Sequence, residues 1–432
     1  MHRHRLVSTA LAVTALSFGI AACGDDDDDS DSGGGGGEET LDLTIGSLLP
    51  LTGDLQDFGG SGEKASNVAV EQINAAIEEA GVDHTVTLQI EDDQTTEEGG
   101  ISGAQALAQN DATCIAGSYA SGVTIPTAES VTIDEEILQI SPAATSDEIT
   151  GLDDDGFLNR TAPPDSFQGP TLADFMEQEL GGAEGLTVNV GARNDPYGTG
   201  LADTFSAAWE AKGGEIGSET IYDPEAATYD SEAGDIVAGN PDAIVIIDFP
   251  ETYAKMGPAL AGTGDFDPKK AFVTDGLISG DLAESAGEDA VIGLRGTAPG
   301  SPDEGEASTA FDEVYLAADP KDQDRNTFDS QTFDAVVLCY LAAVGAGSTE
   351  GADMEGVVRE ISAAPGDQYT FEELPEAIEA LQNGDDIDYE GASGSIEMDD
   401  TGDATAGVYD TYEFTPGGVE VVGEVPVAAP EE

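Results

Sequence analysis

Hydroxyl residues, aromatic rings and single carboxylates follow the apolar runs of this 432-residue chain, where they could grip a small charged molecule. Thr113-Cys-Ile-Ala-Gly117 leads into Ser118-Tyr119-Ala120-Ser121-Gly122. Hydroxyls and backbone N–H groups at the start of a helix form an anion site, so Ser118 and Ser121 could bind a carboxylate. Simple N-capping is the blander use of the same residues. Ile137-Leu-Gln-Ile140 leads into Ser141-Pro142-Ala143-Ala144-Thr145-Ser146, whose small side chains let a ligand reach the backbone. Three further strand-like runs end at Asn194-Asp195-Pro196-Tyr197-Gly198, at Asp248-Phe249-Pro250 and at Thr274-Asp275-Gly276. An acid at such a position could pair with an ammonium group. Asp-Gly is also a common turn pair, and an isolated Tyr197 equally suits packing.

Chemistry that breaks bonds finds little support. Apart from His2 and His4, the chain has one histidine, His84, expected at the surface where a strand begins. It has no Gly-x-Ser-x-Gly elbow and no Cys/His cluster with metal-ligand spacing. Asp399-Asp-Thr-Gly-Asp403 resembles a fragment of a calcium loop without the downstream ligands and reads as a turn. No enzyme activity, cofactor or metal is expected.

Ligand-gripping residues at strand ends require elements that present them together. Residues 41–49 alternate and then run apolar like a buried strand, residues 62–80 carry helical spacing through Ala65, Val68, Ala69, Ile73 and Ile77, and residues 84–90 alternate again. A short helix at 104–110 and a buried strand at 113–117 complete a βαβαβ order, which implies a parallel sheet with helices on both faces. The pattern restarts with a helix at 166–180 capped by Asp165 or Ser166, then strands at 185–191, 242–247 and 270–274 and helices at 200–212 and 252–261. A helix at 332–344 and a strand-rich tail at 391–427 follow. Two βα lobes result, and parallel sheets bind ligands beyond the carboxyl ends of their strands.

The N-terminus supplies an address. Arg3 and Arg5 precede an apolar run, residues 6–20, that ends in Ala21-Ala22-Cys23. This reads as a secretory leader with Cys23 as the lipidated residue of a bacterial lipoprotein, anchored to the outer face of the cytoplasmic membrane. A run of five aspartates at 25–29 and a run of five glycines at 33–37 then form a tether with nothing apolar to fold around. No later segment approaches 18 unbroken apolar residues, so no membrane crossing is expected in the body. Against 13 Lys and Arg stand 89 Asp and Glu, a formal net charge of −76. A phosphate backbone needs a basic surface, so nucleic acid is excluded as a partner. Acids spread through the whole body point to a salty environment, since at about 1 M salt the Debye length is only about 3 Å. Cys114 and Cys339 lie in an oxidising compartment, where one disulfide or two buried thiols both fit.

Taken in order, several segments carry a resemblance. They are Leu51-Thr-Gly-Asp-Leu-Gln-Asp-Phe58, Ile115-Ala-Gly-Ser-Tyr-Ala-Ser121, Ile140-Ser-Pro-Ala-Ala-Thr145, Asn159-Arg-Thr-Ala-Pro-Pro-Asp-Ser-Phe-Gln168, Asp195-Pro-Tyr197-Gly and Tyr389-Glu-Gly-Ala-Ser-Gly394. The chain resembles, over residues 41–428, the substrate-binding lipoproteins of branched-chain amino acid ABC transporters, of the periplasmic binding protein type I fold. The resemblance implies an α/β fold of two doubly wound parallel-sheet lobes joined by three crossover strands. Residues 41–163 with 300–395 would form lobe 1, and 164–299 with 396–428 lobe 2, after a leader at 1–22 and a tether at 23–40. It also implies a monomer that takes a branched-chain or other aliphatic amino acid to an ABC permease; receptors of similar fold sense amides or organic acids instead. By motif, Ser121, Thr145 and the backbone at Ala143 would hold the ligand carboxylate and Asp275 its ammonium. Tyr197, Phe249, Phe58 and Tyr119 would wall the pocket. Asp275 stands where such proteins often carry Glu, so a tighter closure or a bridging water is implied. Relatives often have a short local disulfide in the first lobe, whereas here the remaining partner for Cys114 is Cys339.

Overall fold

The computed structural model describes residues 40–303, 305–321 and 323–429. The leader, Cys23 and the tether up to Glu39 lie outside the described residues. Two open sheets organise the rest. The first contains β1 (Leu41–Leu49), β2 (His84–Asp92), β3 (Ala112–Gly117), β4 (Leu138–Ser141) and β5 (Leu158–Arg160), all parallel, in the order β2-β1-β3-β4-β5. The second contains β6 (Thr187–Arg193), β7 (Glu215–Tyr222), β8 (Ala243–Ile247), β9 (Ala271–Val273) and β10 (Arg295–Pro299), also parallel. A small third sheet, β11 (Asp367–Tyr369), β12 (Ile387–Gly391) and β13 (Gly394–Ser395), serves the first lobe. The hairpin β14 (Ala406–Thr415) and β15 (Gly418–Ala428) then extends the second sheet antiparallel from β10. The protein is thus a two-lobed α/β molecule of the kind the strand and helix order implies.

The lobes share three chain crossings. Thr161 and Pro163 of the first, Gly300 of the second, and Ala406 and Gly407 of the third line one small cavity of about 200 Å³. Ile396, Met398 and Ala404 still pack in the core of the first lobe, so the chain returns to the second sheet at Ala406 rather than at 396.

Helix α1 (Gln56–Ala80) buries Ala65, Val68, Ala69, Ile73 and Ile77, the face that the apolar spacing predicts. It begins six residues earlier than expected, because three glycines disguise its first turns. Two of them serve close approach: a Cβ at Gly59 would lie 2.4 Å from the Pro50 carbonyl oxygen and one at Gly62 2.3 Å from the Tyr119 hydroxyl. Helix α2 (Glu97–Gln109) also starts early, capped by the Thr96 hydroxyl on the Gly99 N–H.

The helix Asp329–Ala346 is buried on every side along 16 of its 18 residues, so it shows no amphipathic stripe. Its Asp334 accepts the Tyr389 hydroxyl at 2.9 Å, the Ala392 and Ser393 N–H groups at 2.8 Å and the Ser393 hydroxyl at 2.6 Å. That satisfaction explains why a carboxylate tolerates the core. Cys339 of the same helix forms a disulfide with Cys114 of β3, with Cα atoms 5.8 Å apart. The sequence left pairing and free thiols equally open. His84 corrects an expectation. It is 8% exposed, its Nδ1 lies 2.9 Å from the Tyr340 hydroxyl, and the helix Leu374–Asn383 brings Gln382 to its other nitrogen, so later helices cover the start of β2.

Candidate functional site

The carboxyl ends of the two sheets supply the walls of one enclosed cavity. Gly117 ends β3 with φ +136°, where a Cβ would lie 2.1 Å from the Leu48 carbonyl oxygen, so the chain turns sharply out of the sheet there. The turn leads into α3 (Ser121–Thr127) and places Tyr119, Ala120 and Ser121 on the cavity. Ser118 does not line the cavity: its carbonyl accepts the Ser141 and Thr124 hydroxyls at 2.6 and 3.1 Å, and its own hydroxyl is buried without a hydrogen bond among the described residues. After β4, Ala143 reaches the wall, and the Ser146 N–H donates to Ser121 Oγ at 3.2 Å, which joins the two loops.

Arg160, at the end of β5, holds that second loop from behind. Its NH1 donates to the carbonyls of Ala144 and Ser146 at 3.1 and 2.9 Å, its NH2 to Thr150 Oγ1 at 2.9 Å, and its Nε pairs with Asp403 Oδ1 at 2.7 Å. The Asp399–Asp403 segment is a turn closed by Asp399 on the Thr401 N–H at 2.8 Å, and Asp403 serves Arg160.

The second lobe brings a linked set. Asp195 caps α5 (Pro196–Ala211) through the Gly198 N–H at 2.8 Å and so sets Tyr197 at the cleft. The Tyr197 hydroxyl donates to Asp275 Oδ1 at 2.9 Å, accepts the Gly276 N–H at 3.1 Å and lies 2.7 Å from Thr274 Oγ1. Phe249 precedes α7 (Pro250–Thr263) and stacks on Tyr197 with ring centroids 5.1 Å apart. The Arg193 guanidinium sits 3.6 Å from the Phe249 ring centroid. Burial pushes the Asp275 carboxyl up to about 6, although Gln168, Tyr197 and nearby backbone N–H groups hold it down.

Across the cleft the lobes touch. Arg193 reaches Asp54 Oδ2 at 3.2 Å, Ser279 donates to Asp57 Oδ2 at 2.6 Å, Ser146 donates to the Pro196 carbonyl at 3.0 Å, and Gln56 bonds Glu251. Leu55, Phe58, Tyr119, Ala120, Ser121, Ala143 and Phe328 from one side, with Tyr197, Phe249, Asp275 and Gly276 from the other, line a space of about 300 Å³, its opening to solvent included.

Seven of the eight expected pocket residues therefore share one cavity. Thr145 does not reach its surface. It is fully buried, and its hydroxyl makes no hydrogen bond among the described residues. Beside it lies Asp165, expected as a helix cap. Asp165 instead opens α4 (Asp165–Leu180) as its first residue, with Pro164 before it and no side-chain cap. Its side chain turns inward, is fully buried, and neither carboxylate oxygen has a hydrogen bond among the described residues. Burial drives its carboxyl well above the usual carboxylate range. Asp275 and Asp147 add to this, while the Thr145 hydroxyl, outside hydrogen-bond geometry, and Arg160 oppose it. Leu55, Phe328, Arg160 and Arg193 are further parts of the site or its support that the residue pattern did not mark. Leu55 and Phe328 follow no strand, and nothing in their local sequence distinguishes them from core.

A cleft between two doubly wound lobes, with Ser121 on one side and Tyr197 and Asp275 on the other, is the arrangement of a solute-binding protein. The family model for periplasmic binding proteins matches residues 42–409, and the chain belongs to that family. Its members are extracytoplasmic proteins that bind substrates rather than transform them. The chain is 27% identical over 324 residues to Leu/Ile/Val-binding protein homolog 1 of Brucella abortus, covering 74% of this chain and 82% of that one. It is 24% identical over 385 residues to the chemotactic signal transduction system substrate-binding protein BasB of Halobacterium salinarum, covering 88% of each. Among solved structures it is similar to the leucine binding protein LivK of Thermotoga maritima, with TM-score 0.71, 22% identity and coverage of 89% and 98%. It is also similar to a solute binding protein from R. palustris in complex with benzoate, with TM-score 0.68, 18% identity and coverage of 90% and 98%.

Proposed function

We propose that this protein captures an amino acid with a branched or other aliphatic side chain between its lobes and presents it to an ABC permease. One observation carries the reading: a buried carboxylate, Asp275, shares the cavity with the Ser121 and Tyr197 side chains and an otherwise apolar, aromatic wall. A buried carboxylate is costly until a cation pairs with it. In this reading the ligand ammonium pairs with Asp275, with Asp165 close by. Ser121 and the backbone at Ala143 receive the carboxylate. Phe58, Tyr119, Tyr197 and Phe249 enclose the side chain, whose burial contributes about 1.5–3 kcal/mol. Each lobe holds one end of the ligand, so the ligand favours the closed arrangement.

The wider assignment follows the sequence. Cys23 carries a lipid, the tether keeps the protein near its permease at raised effective concentration, and the protein acts as a monomer in salty surroundings. A second reading, a ligand-sensing receptor for amides or small organic acids, is favoured by the Halobacterium relative, a substrate-binding protein of a chemotactic signal transduction system.

Calorimetry in high salt against the twenty amino acids, with amides, benzoate and other organic acids alongside, tests the reading. Aliphatic amino acids are expected to bind, and Asp275→Ala is expected to weaken them at least about a hundredfold, the loss typical of a buried charged partner. Failure to bind any α-amino acid rejects the ligand class. Unchanged affinity in Asp275→Ala removes that residue from the site.

A further inference from the structure

We propose that Arg193 is a closure latch, a positioning residue that takes Asp54 from the opposite lobe as the lobes meet and so makes closure and ligand binding favour one another. This rests on the reading of the cavity as a ligand site between closing lobes, whichever ligand fills it. Arg193 ends β6 in the second lobe, and its side chain is 6% exposed. Within that lobe its Nε bonds Asp195, and its Nη1 lies 3.8 Å from Asp248 Oδ1. Across the cleft its Nη2 reaches Asp54 Oδ2 at 3.2 Å. The Thr252 hydroxyl, also of the second lobe, donates to the same oxygen at 3.3 Å. Among the described residues the Asp54 carboxylate has no partner in its own lobe. Arg193–Asp54 is also the one ion pair that spans the cleft among them.

Both ends of the pair abut the cavity, although Arg193 does not line it. Asp54 directly precedes Leu55 of the wall. The guanidinium lies against the Phe249 ring, Phe249 stacks on Tyr197, and the Tyr197 hydroxyl donates to Asp275. A Cβ at Gly276 would lie 2.9 Å from both the Phe249 ring and the Tyr197 hydroxyl, so the stack is packed tightly against the turn that carries Asp275. The charges explain why a cation is needed here. As the lobes close, Asp54 approaches Asp195 and Asp248, and carboxylates brought together without a cation repel. Burial pushes the Asp248 carboxyl up to about 7 even though Arg193 holds it down. Without the arginine Asp248 would therefore take up a proton, and Asp195 would remain to oppose Asp54. Arg193 turns that opposition into attraction. Its guanidinium is buried, so molar salt that screens exposed charges screens this pair much less. A bond that forms only between closed lobes shifts the population towards the state that encloses the ligand.

Leucine titrated by calorimetry in high salt into the wild type, Asp54→Asn, Arg193→Gln and the double variant tests the latch through a change of sign. In the wild type, Asp54→Asn is expected to weaken leucine about fivefold, the loss of a partly exposed ion pair. Arg193→Gln alone should weaken it at least about tenfold. In that background Asp54→Asn should instead strengthen leucine at least about threefold, because it removes the carboxylate that Asp195 repels. An arginine that only holds its own lobe together would leave the effect of Asp54→Asn the same in both backgrounds, and that result overturns the latch. Spin labels on Glu63→Cys and Lys255→Cys, exposed positions on α1 and α7, read the lobe separation without ligand. They carry the test if Arg193→Gln melts before titration. Asp54→Asn should lower the share of short distances at least about twofold, and an unchanged share overturns the latch. If no amino acid binds the wild type, the amino acid reading falls, and the label distances decide the latch separately.

Discussion

Asp275 and Asp165 put two carboxylates near one small space that has no lysine, arginine or histidine on its wall among the described residues. The ligand ammonium, in the proposed reading, supplies the missing positive charge, and it does so only while Asp275 is ionised. Asp275 is held near 6 when the site is free, above its ordinary 3.8, because it is buried. As pH falls through 6 the folded protein takes up a proton there, and the ammonium loses its partner. The ligand itself stays zwitterionic through this range. Affinity for an aliphatic amino acid is therefore expected to be about tenfold weaker near pH 5 than near pH 8, measured by calorimetry at constant salt. Asp275→Asn should flatten that profile, and an equal decline in the variant would assign the titration elsewhere. Ser121, Tyr197 and Asp275 were legible because each directly follows a strand or turn pattern that sheets of this kind use for binding. Asp165 was hidden, because an acid at a helix start looks like a cap until its side chain is seen to turn inward. Phe328 was hidden too, since its place on the cavity wall arises from contacts that only the folded chain creates.

At the scale of elements, most strands and helices could be read from apolar periodicity, and the misplaced boundaries have a shared cause. The starts of α1 and α2 are rich in glycine, which normally argues against helix. Here it lets helices approach neighbouring groups, Tyr119 at Gly62 among them. Tertiary packing, absent from a local window, outweighs propensity. Arg160 is the counterpart in a strand. Its guanidinium binds two carbonyls of the loop after β4, the Thr150 hydroxyl and the Asp403 carboxylate. Arg160→Ala would strand a largely buried carboxylate and release the loop that carries Ala143. A loss of about 3–5 kcal/mol is expected in denaturant unfolding. Arg160→Lys keeps the charge without the fork and should recover only part of the loss. An unaltered midpoint for the alanine variant would show that the loop holds its shape unaided.

The whole molecule is governed by its charge. A formal net of −76 on one chain opposes compaction wherever water leaves it unscreened. Ion pairs such as Arg193–Asp54 and Arg295–Glu179 use a few of the 13 bases, and most of the 89 acids have no base to meet. The melting temperature is therefore expected to rise with NaCl well beyond the roughly 0.15 M at which ordinary surface pairs are already screened, and into the molar range. A flat response above that point would disconnect the acidity from ambient salt.

The Cys114–Cys339 bond spans 225 residues of sequence, and both cysteines belong to the first lobe. Between them the chain leaves that lobe through the crossing near Thr161, builds β6 to β10 and comes back past Gly300. Most of the second lobe is thus a covalent ring hung from the first. A peptide bond cut anywhere on that ring leaves one molecule, not two, until the disulfide is reduced. For an extracytoplasmic protein that meets a protease, a nick in the second lobe need not release its pieces.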